Sequence, residues 1–282
     1  MSDLTLAVAS GKGGTGKSSF ASSFGVTKEG VLLVDADVEE PNLALLLNLK
    51  PLESSLVNLQ IPVIKEELCT RCGKCTDACR FGALNMFGNN IPMVNDLCHG
   101  CGLCSLVCPT KAISETEKPI GEIRHYLSRN IELLEGRLML GMPNPVPIVE
   151  AVVDAAMAIE KPKVIDCAPG TSCPMVAGVR KADAVLLVTE PTPFGLADLK
   201  LALEAIIPLK KPTGVVVNKS DIASENVEEL CRDFNVPVLG HFPFSRHIAA
   251  SYAEGIPPAK SDPLWQQKIS DIWNYFEERV AK

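Results

Sequence analysis

Residues 4–20 read LTLAVASGKGGTGKSSF. A short apolar run ends at Ala9 in a glycine-rich loop, and beyond it Phe20 and Phe24 fall on one face at i, i+4 spacing. Strand, loop and helix are expected in that order. Residues 11–18, GKGGTGKS, fit the spacing G-x4-G-K-[ST]. Gly11, Gly13, Gly14, Thr15 and Gly16, running on into Ser18 and Ser19, are expected to cradle phosphates on backbone N–H groups. Lys17 is placed to meet β- and γ-phosphate oxygens, and the Ser18 hydroxyl to ligate Mg²⁺. A second lysine, Lys12, lies inside the same loop.

Outward from this loop the chain alternates. A strand over 31–34 ends at Asp35, and an amphipathic helical stretch over 43–49 follows. From about 62 to 118 the helical periods vanish. After Pro119 they return as a helix (148–159), strand (163–166), helix (175–181), strand (184–189), helix (196–207) and strand (214–218). A helix over 225–234 with Ser224 as its N-cap, a strand over 238–242, a helix from Arg246 capped by Ser245 and a helix over 263–280 complete the chain. Such alternation specifies an α/β fold: a doubly wound, mostly parallel sheet covered on both faces. The expected body spans 1–62 and 119–282, with a small domain inserted at 63–118.

The insert holds eight of the eleven cysteines. Cys69, Cys72, Cys75 and Cys79 recur 29 residues later as Cys98, Cys101, Cys104 and Cys108, with Pro109 following. C-x2-C-x2-C-x3-C, twice, is the bacterial ferredoxin spacing, in which the fourth cysteine serves the other cluster. Cys69, Cys72, Cys75 and Cys108 are therefore assigned to one [4Fe–4S] cluster, and Cys98, Cys101, Cys104 and Cys79 to the second. Zinc is the alternative, but zinc sites pair two C-x2-C units across a long gap. Gly82-Ala83-Leu84 is echoed by Lys111-Ala112-Ile113. Over its whole length the segment resembles two-cluster ferredoxins, with Arg80 standing where a second proline is usual. His99, beside Cys98, is read either as a loop residue facing solvent or as a hydrogen-bonding neighbour of a cluster.

KGGTGKS, with its early lysine, resembles the deviant Walker A loop of the MinD/ParA/Mrp and nitrogenase-iron-protein family. The resemblance covers the chain outside the insert. It implies an ATPase whose Lys12 reaches across a homodimer interface to the partner's nucleotide, two ATP molecules being held face to face. VLLVDAD resembles the first switch, with Asp37 assigned to the attacking water and Asp35 behind Mg²⁺, although the two could exchange roles. VIDCAPG resembles the Walker B segment and second switch, with Asp166 holding Mg²⁺ through water and Gly170 in the turn. VVVNKSD resembles the adenine-reading loop, implying Asn218 and Asp221 on the base, with Pro243 of HFPFS closing over it.

Three cysteines remain. Cys231 shares a helix face with Val227, Leu230 and Phe234 and reads as core. Cys167 and Cys173 flank the second switch. Packing is the default for both, and a cluster bridging two subunits is the alternative. Net charge is −7, without a Lys/Arg run, so no nucleic-acid partner is expected. The opening residues lack a basic signal segment and the cysteines do not suit a secreted disulfide framework, so a cytoplasmic location is expected. The last helix aligns Trp265, Ile269, Ile272, Trp273, Phe276 and Val280 on one face, opposite charges of both signs. It reads as docked on the body rather than inserted in a membrane.

Three functions fit. The first expectation is an ATP-gated electron carrier, active as a nucleotide-dependent homodimer toward a redox partner protein. The others are an assembly or delivery ATPase for a metallocofactor client, and a positioning ATPase with structural clusters. The stretch over 43–49 is the expected link between Asp37 and the insert.

Overall fold

Runs of Leu, Val, Ile and Ala make strands that bury both faces, as parallel sheets under helices require. The computed structural model describes residues 4–128 and 130–280. Residues 1–3 and 281–282, the outer ends of the expected body, lie outside the described residues, and so does the extreme amino terminus on which the cytoplasmic expectation drew. Five strands are buried from end to end: β1 (Thr5–Ala9), β2 (Leu32–Ala36) and, beyond the insert, β8 (Lys163–Cys167), β9 (Ala184–Thr189) and β10 (Thr213–Asn218). β11 (Val238–Phe242) flanks β10.

Two long strands, β3 (Pro51–Ile64) and β6 (Ile113–Ser128), pair antiparallel from Pro51↔Tyr126 to Ile64↔Ile113. Between them lies the insert, with the short pair β4 (Leu84–Asn85) and β5 (Met93–Val94). β6 returns through β7 (Ile131–Leu138), which pairs antiparallel with β6 and parallel with β2. The main sheet therefore runs β11-β10-β9-β1-β8-β2-β7-β6-β3, parallel as far as β7 and antiparallel beyond it. The expected doubly wound sheet is present, and the antiparallel extension was not foreseen. Its strands lack clean alternation: β3 carries Pro51 and Pro62 and is exposed along most of its length, so only cross-strand pairing identifies it.

The helices are α1 (Lys17–Thr27), α2 (Leu43–Leu46), the insert's α3 (Lys74–Ala78) and α4 (Leu103–Val107), then α5 (Val146–Met157), α6 (Cys173–Arg180), α7 (Pro193–Ile206), α8 (Val227–Asp233), α9 (Arg246–Ala253), α10 (Pro258–Ser261) and α11 (Pro263–Val280). One core lies beneath α5 to α8, around Ile148, Val152, Met175, Leu203 and Cys231. The other lies beneath α1 and α11, around Phe20, Phe24, Leu33, Leu133 and Phe276. Phe20 meets Trp265 at a centroid distance of 4.9 Å, and Phe24 meets Trp273 at 6.0 Å. The apolar face of α11 is thus spent on the body, and among the described residues no helix is long and apolar enough to cross a membrane.

Two local expectations are corrected. The cap of α8 is Asn226, whose side chain accepts from Glu229 N at 3.0 Å, so the helix starts two residues later than the Ser224 reading placed it. The stretch over 43–49 is helical only in α2, after which the chain enters a 14-residue strand. At about 3.4 Å per residue that strand spans some 45 Å, so the link between Asp37 and the first cysteine is a ribbon, not a helix. Ser245 caps α9 as expected, accepting from Ile248 N at 3.3 Å.

Candidate nucleotide site and cysteine clefts

Ligands in doubly wound sheets bind beyond the carboxyl ends of the strands. Here the loop after β1 enters α1 through Gly14 (φ 78°) and Gly16 (φ 101°), left-handed positions that favour glycine. Gly16 is also fixed by space, since a Cβ there would lie 2.4 Å from Asn218 Nδ2. Gly11 abuts the Asp198 carbonyl just as closely, whereas Gly13 has open space around it. Lys17 is almost fully buried at the start of α1. The Ser18 hydroxyl lies beside the Asp166 carboxyl, and Ser19 lies one residue further on.

Asp35 and Asp166 are register partners on β2 and β8. Both are buried, but their surroundings differ. Asp35 Oδ1 accepts from Asp37 N at 3.2 Å, and Oδ2 from Asn42 N at 3.0 Å and Leu43 N at 2.9 Å. Its carboxylate therefore clamps the loop after β2. Asp166 Oδ1 is buried without a hydrogen-bond partner, as is Thr15 Oγ1 in the loop. Burial pushes the Asp166 carboxyl up to about 6, against the pull of Lys17 and Ser18. Burial likewise raises Asp37 to about 6 against Lys17, and raises Asp35 well above the carboxylate range with Asp166 adding to the effect. An orphaned carboxylate oxygen beside a serine hydroxyl, at the mouth of a phosphate-shaped loop, is a donor set that fits Mg²⁺ and a nucleotide's phosphates. Gly170 (φ 93°) bonds back to the Ser10 carbonyl at 3.0 Å, tying the loop after β8 to the one after β1.

Beside the loop a cleft is lined by Ser19, Asn218, Lys219, Pro243, Phe244, Tyr252 and Trp265, with about 580 Å³ of empty space. Its size and mixed lining suit a planar base. Asn218 does more than line it, since its Nδ2 donates to the Thr15 carbonyl at 2.7 Å. Asp221 is a correction: it does not line the cleft, and its Oδ1 accepts from Phe244 N at 2.6 Å, holding the loop that carries Pro243.

Sequence reasoning missed Glu190 and its partner Lys219. Glu190, directly after β9, sits 3.0 Å from Lys12 Nζ and 2.6 Å from Lys219 Nζ. Its place at a strand end, beside the other strand-end carboxylates, is the signal that could have found it.

The insert repeats in backbone as well as sequence. Left-handed residues Arg71, Gly73 and Gly82 recur 29 positions on as Gly100, Gly102 and Lys111. Ala83 N donates to Cys79 Sγ at 3.3 Å and Ala112 N to Cys108 Sγ at 3.2 Å. Two clefts result. One is lined by Cys69, Cys72, Cys75 and Cys108, the other by Cys79, Cys98, Cys101 and Cys104, with about 340 and 400 Å³ of empty space. Among the described residues no three His, Cys, Asp or Glu side chains gather around a single ion. Four thiols spread around a cavity fit a cluster of several irons better than one zinc.

The other cysteines separate by burial. Cys167 and Cys231 are core, and Cys173 is exposed at the start of α6. His99 is half-buried and lines the cleft of Cys79, Cys98, Cys101 and Cys104, which sets aside the reading as a loop residue facing solvent. It stacks on Phe81 at a centroid distance of 3.7 Å, and its Nδ1 lies 3.1 Å from Asn144 Nδ2 on the loop between β7 and α5. That loop starts from Leu138, whose N–H bonds the carbonyl of Val38 at 2.8 Å, one residue beyond Asp37.

Residues 6–258 match the family described as the CobQ/CobB/MinD/ParA nucleotide binding domain. An uncharacterized protein of Methanocaldococcus jannaschii is 30% identical over 280 residues, which cover 98% of this chain and 96% of that protein. The cell division ATPase MinD of Pyrococcus furiosus is similar in fold, with a TM-score of 0.61 at 18% identity over 97% of this chain and 100% of that one. The septum site-determining protein MinD of Pyrococcus horikoshii, solved with Mg-ADP, gives 0.58 at 17% identity over 95% of each chain. The family match takes in the strands, the phosphate loop and the carboxylates gathered at its mouth, and this chain belongs to the CobQ/CobB/MinD/ParA nucleotide-binding domain family.

Proposed function

We propose that this chain is a Mg²⁺-dependent ATPase of the MinD/ParA kind, dimerising on ATP, whose insert carries two [4Fe–4S] clusters. One observation carries the ATPase reading: the phosphate loop, Lys17 and Ser18 converge on Asp166, whose buried Oδ1 has no partner within the chain. Ser18 and Asp166 would hold Mg²⁺, which supplies charge neutralisation at the phosphates. The loop N–H groups and Lys17 bind and orient the triphosphate. Asp35, by holding the N–H groups of Asp37, Asn42 and Leu43, fixes the loop from which Asp37 faces the site and orients water. Lys12 supplies the cross-interface charge that offsets repulsion between two opposed triphosphates. Light scattering and phosphate release test this together. Wild type should shift from monomer to dimer with ATP and Mg²⁺, and Lys12→Ala should bind nucleotide yet stay monomeric and inactive. A Lys12→Ala variant that dimerises and hydrolyses normally overturns the role given to this lysine.

A second reading, the ATP-gated electron carrier, is favoured by the two thiol quartets. Bound there, [4Fe–4S] clusters supply one-electron transfer. Cys75 and Cys104, one from each quartet, lie near enough to feel each other's charge, so the two clefts are neighbours. Transfer of electrons to an acceptor only when ATP is present separates this reading from an ATPase with structural clusters.

A further inference from the structure

Lys12 is committed within its own chain. Its Nζ lies 3.0 Å from Glu190 Oε2, and Glu190 Oε1 lies 2.6 Å from Lys219 Nζ. Lys219 also donates to the Gly14 carbonyl of the phosphate loop at 3.2 Å and lines the cleft beside it. Glu190 is 7% exposed. Its backbone has little room to move: a Cβ on Gly195 would lie 2.2 Å from the Glu190 carbonyl oxygen, which also accepts from Thr192 N at 2.8 Å. Burial raises the Glu190 carboxyl, but the two ammonium groups outweigh it and hold the acid below its ordinary value.

A carboxylate this buried cannot be left bare without a large penalty. With two lysines on it, one can leave while the other still satisfies it. Lys219 is anchored a second time, to Gly14, and lines the cleft. Lys12 is about as exposed, with 30% of its side chain open to solvent against 34% for Lys219, but among the described residues its Nζ has no partner other than Glu190. Of the two, Lys12 is the one free to go. A second chain presenting a triphosphate offers it several negative charges in place of one, whereas without that partner Glu190 keeps it.

We propose that Glu190 is a positioning residue that holds Lys12 within the single chain and releases it to the nucleotide of a second copy, so setting the threshold for nucleotide-dependent dimerisation. The inference rests on the dimerising-ATPase reading for its second half. Its first half, the hold on Lys12, is measurable without a dimer.

The test compares the full chain with Glu190→Gln, which keeps the size of the side chain and removes its charge. In nucleotide-free protein, the rate at which Lys12 is acetylated, followed by mass spectrometry at that residue, should rise several-fold in Glu190→Gln. With ATP and Mg²⁺, the protein concentration needed for dimers should fall about tenfold in Glu190→Gln. Glu190→Asp, which keeps the charge on Lys12, should leave the dimer threshold near that of wild type, which a merely structural role would not do. Equal acetylation of Lys12 in wild type and Glu190→Gln overturns the hold. A fall in the dimer threshold as large in Glu190→Asp as in Glu190→Gln overturns the hand-over. If wild type never dimerises with ATP, the dimer reading and the hand-over fall together, and the acetylation rates still decide the hold.

Discussion

In the nucleotide-binding body, β1, β2, β8, β9 and β10 are buried along their whole length, whereas between residues 65 and 111 only Ala83, Leu84 and Pro92 are buried. The same chain therefore holds two kinds of structure. The body is stabilised by two apolar cores that bury whole Phe, Leu and Ile side chains, each contributing about 1.5–3 kcal/mol. The insert exposes Leu68, Phe81, Phe87, Leu97 and Leu106, and has two cavities edged by thiols where a core would be. On the proposed reading, a segment so poor in buried apolar surface would gain its order from the clusters it binds. The difference teaches that cysteine spacing can stand in for hydrophobic periodicity as the fold-determining signal.

The sharpest way to break this comparison is to remove the proposed clusters. After anaerobic chelation, amides between residues 65 and 111 should lose most of their hydrogen-exchange protection, by about 10³-fold, while those of β1, β8 and β9 keep theirs. Unchanged protection in the insert would mean that it has a core of its own.

Both parts were legible in the sequence to the extent that each uses short-range chemistry. The doubled C-x2-C-x2-C-x3-C spacing, read with each fourth cysteine crossing to the other repeat, divided the eight cysteines into the two quartets that line the two clefts. The glycine loop and the strand-end aspartates marked one edge of the sheet. What did not show was pairing over distance. β3 and β6 are 14 and 16 residues long, polar on much of both faces, and defined by each other, so no local period announces them. For the same reason the roles of Asp35 and Asp221 had to be seen. A carboxylate that holds backbone N–H groups reads, in sequence, like one that faces a ligand. The Glu190 network joins residues 178 and 29 positions apart, beyond the reach of any local pattern.

Within the body, the site should respond without the fold responding. Lys17→Ala should weaken ATP binding about 100-fold, and Asp37→Asn should slow hydrolysis about 100-fold with ATP affinity changed less than about threefold. Equal losses of affinity and rate in Asp37→Asn would place this residue in binding instead.

Core substitutions extend the comparison to stability. Phe24→Ala, in the core beneath α1 and α11, should cost about 3–5 kcal/mol in denaturant unfolding. Leu106→Ala, on the insert where the side chain is 82% exposed, should stay within about 0.5 kcal/mol. A large effect at Leu106 would reveal apolar packing that the insert does not show.

The smallest effect expected is on pH dependence. Asp37 and Asp166 are raised to about 6 in the folded chain, from an ordinary value near 3.9 when unfolded. Between those values the folded chain binds more protons than the unfolded one, so nucleotide-free stability rises as pH falls through 6. The melting temperature should be about 3 °C higher at pH 5 than at pH 7.5, and Asp166→Asn should flatten that slope. Mg²⁺–nucleotide binding, which needs ionised carboxylates, should run the other way and weaken below pH 6.

The central claim is that one chain joins a nucleotide-binding body to an insert built on two iron–sulfur clusters. Iron and acid-labile sulfide, measured on anaerobically prepared protein, test it most directly. About eight of each per chain are expected, falling to about four in a variant whose Cys98, Cys101 and Cys104 are replaced by serine. Zinc without sulfide, or iron content unchanged by those substitutions, would contradict it.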